Sequence, residues 1–170
     1  QPWVKDRSLY ELKSSAPGNL WITLNFSKFY GLFDMLLTAE IKTDGILTFT
    51  RSEPGESYSY DGKILLTDKS TFRFYNKDFS PVTGSIDFVK GNSTLDITAE
   101  YTGPHKVSGS ADETIKIKLT ITGTISEPEL AMDLYRKNGQ EFVKDLRTDE
   151  QVRADVLSYL ATGTLAGDQQ

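Results

Sequence analysis

The chain has no cysteine, one histidine, no apolar run long enough to cross a bilayer as a helix, and no cluster of lysine or arginine. Each absence closes off a class of function. Without cysteine there are no disulfides and no thiolate metal sites, whatever the redox compartment. A membrane-spanning helix needs about 20 mostly apolar residues in a row, and nowhere do they occur. Nucleic-acid binding requires grouped cations, whereas the net charge here is -5. Catalytic groups are equally scarce. His105 follows Gly103-Pro104 in a polar stretch and reads as an exposed loop residue, not a general base. Asp87, Asp96 and Glu100 fall opposite apolar rows and read as the wet face of a sheet, not as the paired carboxylates of a glycosidase. Neither a phosphate-binding glycine loop nor a nucleophile elbow is found. The chain is expected to be no enzyme and to use no metal or cofactor. It opens at Gln1 without a Met or a signal-peptide pattern, and is expected to be a mature form or a fragment of something longer.

What the sequence does have is alternation. In residues 115–122, Ile115, Ile117, Leu119 and Ile121 share one side, and Lys116, Lys118, Thr120 and Thr122 the other. Successive side chains of a strand point to opposite faces, so this is a strand with one greasy and one wet face. The pattern recurs along the chain. Leu37, Ala39 and Ile41 form one row after Phe33 and Met35, and Leu47 and Phe49 the next, with Asp44-Gly45 between them as a hairpin signal. Asp61-Gly62 marks a second turn, followed by Ile64 and Leu66, then Phe72 and Phe74, ending at a turn over Asn76–Asp78. Ile86 and Phe88 lead through Gly91-Asn92 to Leu95, Ile97, Ala99 and Tyr101. A polar loop is expected from Gly103 to Thr114, and a break between Gly123 and Pro128 precedes Leu130 and Met132. Strands spaced by about ten residues with turn signals between them predict an all-β, antiparallel meander.

The period changes near the C-terminus. Val152, Val156, Tyr159 and Leu160 follow helical spacing. Thr148 and Gln151 match a capping box, Asp149 and Glu150 suit the positive end of the dipole, and Gly163 suits the exit. An amphipathic helix over 148–163 is predicted.

The stretch DGKILLTDKSTFRFYNKDFSPVTGSIDFVKGNSTLDITAEY, then IKIKLTITGTISEPELAMDL and DEQVRADVLSYLATGTL, resembles the C-terminal domain of TamB-type proteins. Gly84, Ile86, Phe88, Leu95, Asp96, Ile97, Ala99, Gly123, Pro128, Leu130, Leu157, Ser158, Leu160 and Gly163 carry the match, over about residues 45–165. The chain departs from the pattern at Ser93-Thr94, where the family usually has a Pro, and at Asp133-Leu134-Tyr135-Arg136 in place of Ser-x-Pro. The resemblance implies one domain over 1–170, an open U-shaped β-taco with an apolar interior. That interior would be lined by the rows from Leu37 to Met132 named above. It implies further a phospholipid or other acyl lipid as cargo, an outer-membrane barrel of the BamA/TamA type as partner, and a periplasmic location between the two membranes of a Gram-negative bacterium. Membrane contact would come through the full-length protein.

By pattern alone the apolar rows fit a closed sandwich core as well as an open trough. Only the ordered resemblance favours the trough. The helix stripe fits a cap on the sheet, or docking on a membrane or partner. Trp3, Trp21, Tyr58 and Tyr60 leave a sugar-binding sandwich as a further reading.

Overall fold

The computed structural model describes residues 12–17, 19–31, 35–44, 46–51, 60–89, 92–106, 109 and 112–166. Among them are twelve strands and one helix: β1 (Leu12–Pro17), β2 (Trp21–Tyr30), β3 (Leu36–Lys42), β4 (Ile46–Arg51), β5 (Tyr60–Leu65), β6 (Thr71–Phe74), β7 (Lys77–Phe79), β8 (Val82–Val89), β9 (Asn92–His105), β10 (Glu113–Gly123), β11 (Pro128–Asn138), β12 (Glu141–Lys144) and α1 (Asp149–Thr162). Hydrogen bonding orders them as an eight-stranded sheet, β1-β4-β5-β8-β9-β10-β11-β12, and a four-stranded sheet, β2-β3-β6-β7. All neighbours are antiparallel.

The registers make these two leaves of one folded sheet. Pro17 pairs with Ile46 in the large leaf, and Trp21 with Lys42 in the small one. β1 and β2 are therefore successive parts of one strand path that passes from leaf to leaf, as are β3 and β4. The same bend separates β5 from β6 at 66–70, and β7 from β8 at a cis Ser80–Pro81 peptide. Counted this way the described strands make an eight-strand meander whose first four members pass from one leaf to the other. Neither leaf closes on itself: β1 and β12 edge the large leaf, β2 and β7 the small one. The result is the expected open, folded β architecture with one C-terminal helix, not a barrel.

Polar groups hold the crease. The Thr43 amide donates to the Leu20 carbonyl at 2.9 Å, and the Leu20 amide to Thr43 Oγ1 at 2.9 Å. Thr67 Oγ1 donates to the Asp44 carbonyl at 2.9 Å, and the Asp44 amide to Ser70 Oγ at 3.0 Å. The Leu66 amide donates to the Gly84 carbonyl at 2.9 Å, and Ser80 to Glu100 at 2.7 Å. A bent strand leaves backbone groups out of line with the ladder, and these bonds satisfy them.

Four sequence expectations are corrected. Asp44 lies at a crease, not in a hairpin: β3 pairs with β2 and β6, and β4 with β1 and β5. Asp61 and Gly62 are inside β5, with Gly62 opposite Phe88. The tight turn of the small leaf is Tyr75–Asn76, at φ 53° and 58°. Pairing of Phe74 with Lys77 leaves only those two residues to reverse the chain, and a two-residue hairpin of this type needs positive φ at both. Finally, β9 runs on through Gly103-Pro104, so His105 is a strand residue with no exposure. Proline is tolerated there because the Pro104 carbonyl faces α1, where it accepts from Tyr159. Its nitrogen shares that side, and no bond to β10 is lost.

α1 is capped as predicted. The Gln151 amide donates to Thr148 Oγ1 and the Thr148 amide to Gln151 Oε1, both at 3.3 Å. At the other end the Gly163 amide, in the left-handed conformation, donates to the Tyr159 carbonyl at 2.7 Å. Trp3, Phe33, Tyr58 and the side chains of Leu47, Phe49 and Tyr60 lie outside the described residues.

Candidate functional site

The inner faces of the leaves carry one continuous cluster of apolar side chains among the described residues. In the large leaf, register sets Ile64, Ile86 and Leu95 side by side, then Ile97, Ile121 and Leu130, then Val82, Ala99, Leu119 and Met132. The small leaf contributes Ile22, Ile41, Phe72 and Phe79, and beside them Leu24, Ala39 and Phe74. Of the lining residues expected from sequence, Leu37, Ala39, Ile41, Ile64, Leu66, Phe72, Phe74, Ile86, Leu95, Ile97, Ala99, Ile115, Ile117, Leu119, Ile121 and Leu130 are buried. Phe88, Tyr101 and Met132 are partly buried against them. Each fully sheltered aliphatic or aromatic side chain contributes about 1.5–3 kcal/mol, so this interior dominates the stability of the fold.

The leaves meet across this interior. Phe79 of the small leaf lies 5.6 Å from the Tyr101 ring of the large one, and Phe79 also packs edge-on to Phe72 and Phe74 at 5.7 and 6.2 Å. Ile97, Ile117 and Leu119 have no exposed area, so the space between the walls is filled by the protein's own side chains. Outside, Lys63 and Asp87 pair loosely at 3.9 Å, and Lys116 lies over the rings of Tyr135 and Phe142 at 4.8 and 5.0 Å.

Toward α1 the inner face turns polar. The β9 row continues from Ala99 through Tyr101 and Gly103 to His105. His105 is fully buried, with Nδ1 2.8 Å from Glu113 Oε1, and Arg136 donates to that same oxygen at 3.3 Å. A Cβ on Gly103 would come within 2.8 Å of the Tyr159 hydroxyl, so the missing side chain is what admits this tyrosine. Tyr159 packs on Tyr101 and His105 at 6.2 and 6.3 Å. Burial, with Tyr101 adding to it, pushes its hydroxyl up to about 12.

The four predicted helix-face residues, Val152, Val156, Tyr159 and Leu160, are all buried. So are Leu157, Ser158 and Asp155, which widens the covered face beyond the predicted stripe. α1 lies against β11, and Arg153 stacks over Phe29 of β2 at 4.6 Å, so the helix caps the seam between the leaves. A polar clamp fixes it. Arg147 donates to Asp145 through Nη2 at 2.7 Å and also to Asp155, an almost fully buried carboxylate on α1.

Sequence reasoning left out Leu24, Phe26, Phe79, Val82 and Leu134 from the lining, although all are buried in it. For Leu134 the signal was present, two residues beyond Met132 in the same alternation. Phe79 and Val82 flank a crease, where the period of two restarts and gives no guide.

No curated protein and no solved structure matches the chain. The model of one family, the TamB C-terminal domain, matches residues 9–170, and the chain belongs to that family.

Proposed function

We propose that this domain handles acyl lipid for a TamB-type transporter of the Gram-negative envelope, conducting phospholipid chains along its apolar inner face between inner and outer membranes. The TamB family has a role in outer-membrane assembly and lipid transport. One observation carries the finer reading: inner rows without a polar interruption, from Leu95 to Ala99 and Ile115 to Ile121, in a sheet folded over a crease and not closed into a barrel. Burying a methylene gives about 0.8 kcal/mol, so a 16-carbon chain is held by on the order of 12 kcal/mol when fully sheltered. Apolar contacts are non-directional, so a tail slides between equivalent positions at little cost.

Because the interior is filled by side chains, passage requires the small leaf to lift about the crease. That exchanges contacts between the walls for contacts between wall and acyl chain. The proposed lining is therefore the set of inner residues from Leu37 to Met132, with Phe88 and Met132 at its accessible margin. A photo-crosslinking residue placed at Phe88 or Met132 is expected to capture phospholipid in the envelope, whereas one at outward-facing Lys63 is not. Equal labelling at all three positions, or none at the inner pair in folded protein, would remove conduction.

A second reading has its own observation. β12 is the free edge of the large leaf, Val143 on it is half exposed, and Leu146 beyond it is 87 % exposed. Such an edge suits strand addition by an outer-membrane barrel of the BamA/TamA type. Val143→Lys with Leu146→Asp should abolish binding to that barrel while leaving lipid capture at Phe88 intact. Barrel binding unchanged by both substitutions excludes this edge.

A further inference from the structure

α1 touches both leaves, and unequally. On the large-leaf side it lies against β11, Tyr159 donates to the Pro104 carbonyl at 2.7 Å, and the tyrosine ring packs on Tyr101 and His105. The Asp155 carboxylate is almost fully buried and clamped by Arg147. Toward the small leaf the helix extends Arg153, whose guanidinium lies over the Phe29 ring at 4.6 Å. Phe29 is near the end of β2, roughly 30 Å along the strand from Leu20 at ~3.3 Å per residue. Leu20 is bonded to Thr43 at the crease, so Arg153 holds the small leaf far from its line of attachment. Phe79, which meets Tyr101, comes just before the Ser80–Pro81 peptide and so acts close to that line. A second bridge out near Phe29 joins Lys28 to Glu129 at 3.6 Å, but their side chains are 70 % and 60 % exposed, and such a pair contributes little.

We propose that α1 is a latch: it is fixed to the large leaf and holds the small leaf shut through Arg153 on Phe29, so that release of this stack lets the leaves part about the crease. The asymmetry makes the latch releasable on one side. A cation over a partly buried ring is a contact of modest strength. The opposite face of the helix is held by a buried stripe, a hydrogen bond and an ion pair to a buried carboxylate. The long arm makes the latch effective, because a tie far from a hinge resists rotation with more torque than the same tie beside it. Parting the leaves uncovers the inner face from Leu95 to Ala99 without breaking a strand ladder, since β2 pairs with β3 and not with the large leaf. As a lock on the leaves the latch stands without any cargo, and only its use in admitting acyl chains rests on the proposed conduction.

The chain has no cysteine, so a thiol placed on the inner face reports opening without background. Ala39→Cys on the small leaf and Ala99→Cys on the large one each replace a buried alanine of the facing walls. Alkylation of either thiol in the whole, native chain is expected to be slow, and about tenfold faster when Arg153→Ala is added. Circular dichroism should be unchanged, because alanine keeps the helix. Arg153→Lys can still place a cation over the ring and should keep most of the protection. Phe29→Leu should match Arg153→Ala, and Lys28→Gln should change nothing. The acceleration should depend only weakly on urea below the unfolding transition, since parting two leaves exposes less surface than unfolding. Unaltered labelling in Arg153→Ala would overturn the latch. So would acceleration at only one of the two thiols, an equal effect of Lys28→Gln, or a urea dependence as steep as that of unfolding. No lipid enters this experiment, so its failure leaves conduction standing, and failed crosslinking at Phe88 leaves the latch standing.

Discussion

The Tyr159 hydroxyl donates to the Pro104 carbonyl at 2.7 Å, tying the last turns of α1 to the end of β9. Tyr159→Phe should cost about 1 kcal/mol, the usual net worth of one such bond. The pH response separates this from simple loosening. The ordinary tyrosine value is 10.0 and burial raises the folded value to about 12, so the folded state keeps a proton that the unfolded state loses. Tyr159 therefore contributes stability that is fully present below pH 10 and lost as pH rises through 12. Urea denaturation from pH 9 to 12 should show this loss in the parent chain, and Tyr159→Phe should lack it.

Arg147→Ala should cost about 2 kcal/mol, because it leaves the Asp155 carboxylate inside the fold without its guanidinium. The roughly 3–5 kcal/mol typical of fully buried pairs is discounted because Arg147 is 40 % exposed. The Arg147 side chain also holds the Asp145 carboxyl below its ordinary 3.8, against the opposing effect of burial. A depressed folded value means stability present above pH 3.8 and lost as pH falls through the folded value. Acid denaturation of the parent chain below pH 3.8 should therefore include a component from this clamp, and that component should vanish in Arg147→Ala.

Gly84→Ala should be severe. Gly84 sits at φ +121°, and a Cβ there would lie 1.9 Å from the Asp96 carbonyl oxygen, a backbone atom that cannot swing aside. β8 would have to separate from β9, at a cost of about 3 kcal/mol or more. Circular dichroism melts would report it, and a melting point equal to the parent's would show that the two strands are less closely set.

Leu119→Ala should cost roughly 2–5 kcal/mol, the range for truncating a fully buried leucine, and Met132→Ala clearly less. The two residues are register partners across β10 and β11, but Leu119 is fully buried and Met132 only partly. Equal costs would mean that Met132 is as tightly enclosed as its partner.

Much of the fold was legible because period two survives along β9, β10 and β11 of the large leaf. Leu95 to Ala99 and Ile115 to Ile121 needed only alternation to be placed on one face. The C-terminal helix was legible too, since Thr148, Gln151 and Gly163 each supply a distinct local contact. The crease was not. A strand that bends between leaves and a hairpin that reverses use the same Asp-Gly chemistry, and only pairing with distant strands tells them apart. His105 was misplaced for a similar reason: Gly-Pro is a loop signal by local propensity, yet its neighbours Tyr101 and Tyr159 hold it in a strand.

The unbroken pairing of β8 through β11 leads us to expect an order of assembly. β8 through β11 are joined by consecutive hairpins, so they close short loops first and need no other part of the chain to find their register. The small leaf also pairs β2 with β3 and β6 with β7, but its phenylalanines are sheltered against the large leaf. The C-terminal half is thus expected to serve as the template on which the N-terminal strands fold back. A chain made from its N-terminus must hold four greasy ribbons uncommitted until that template is complete.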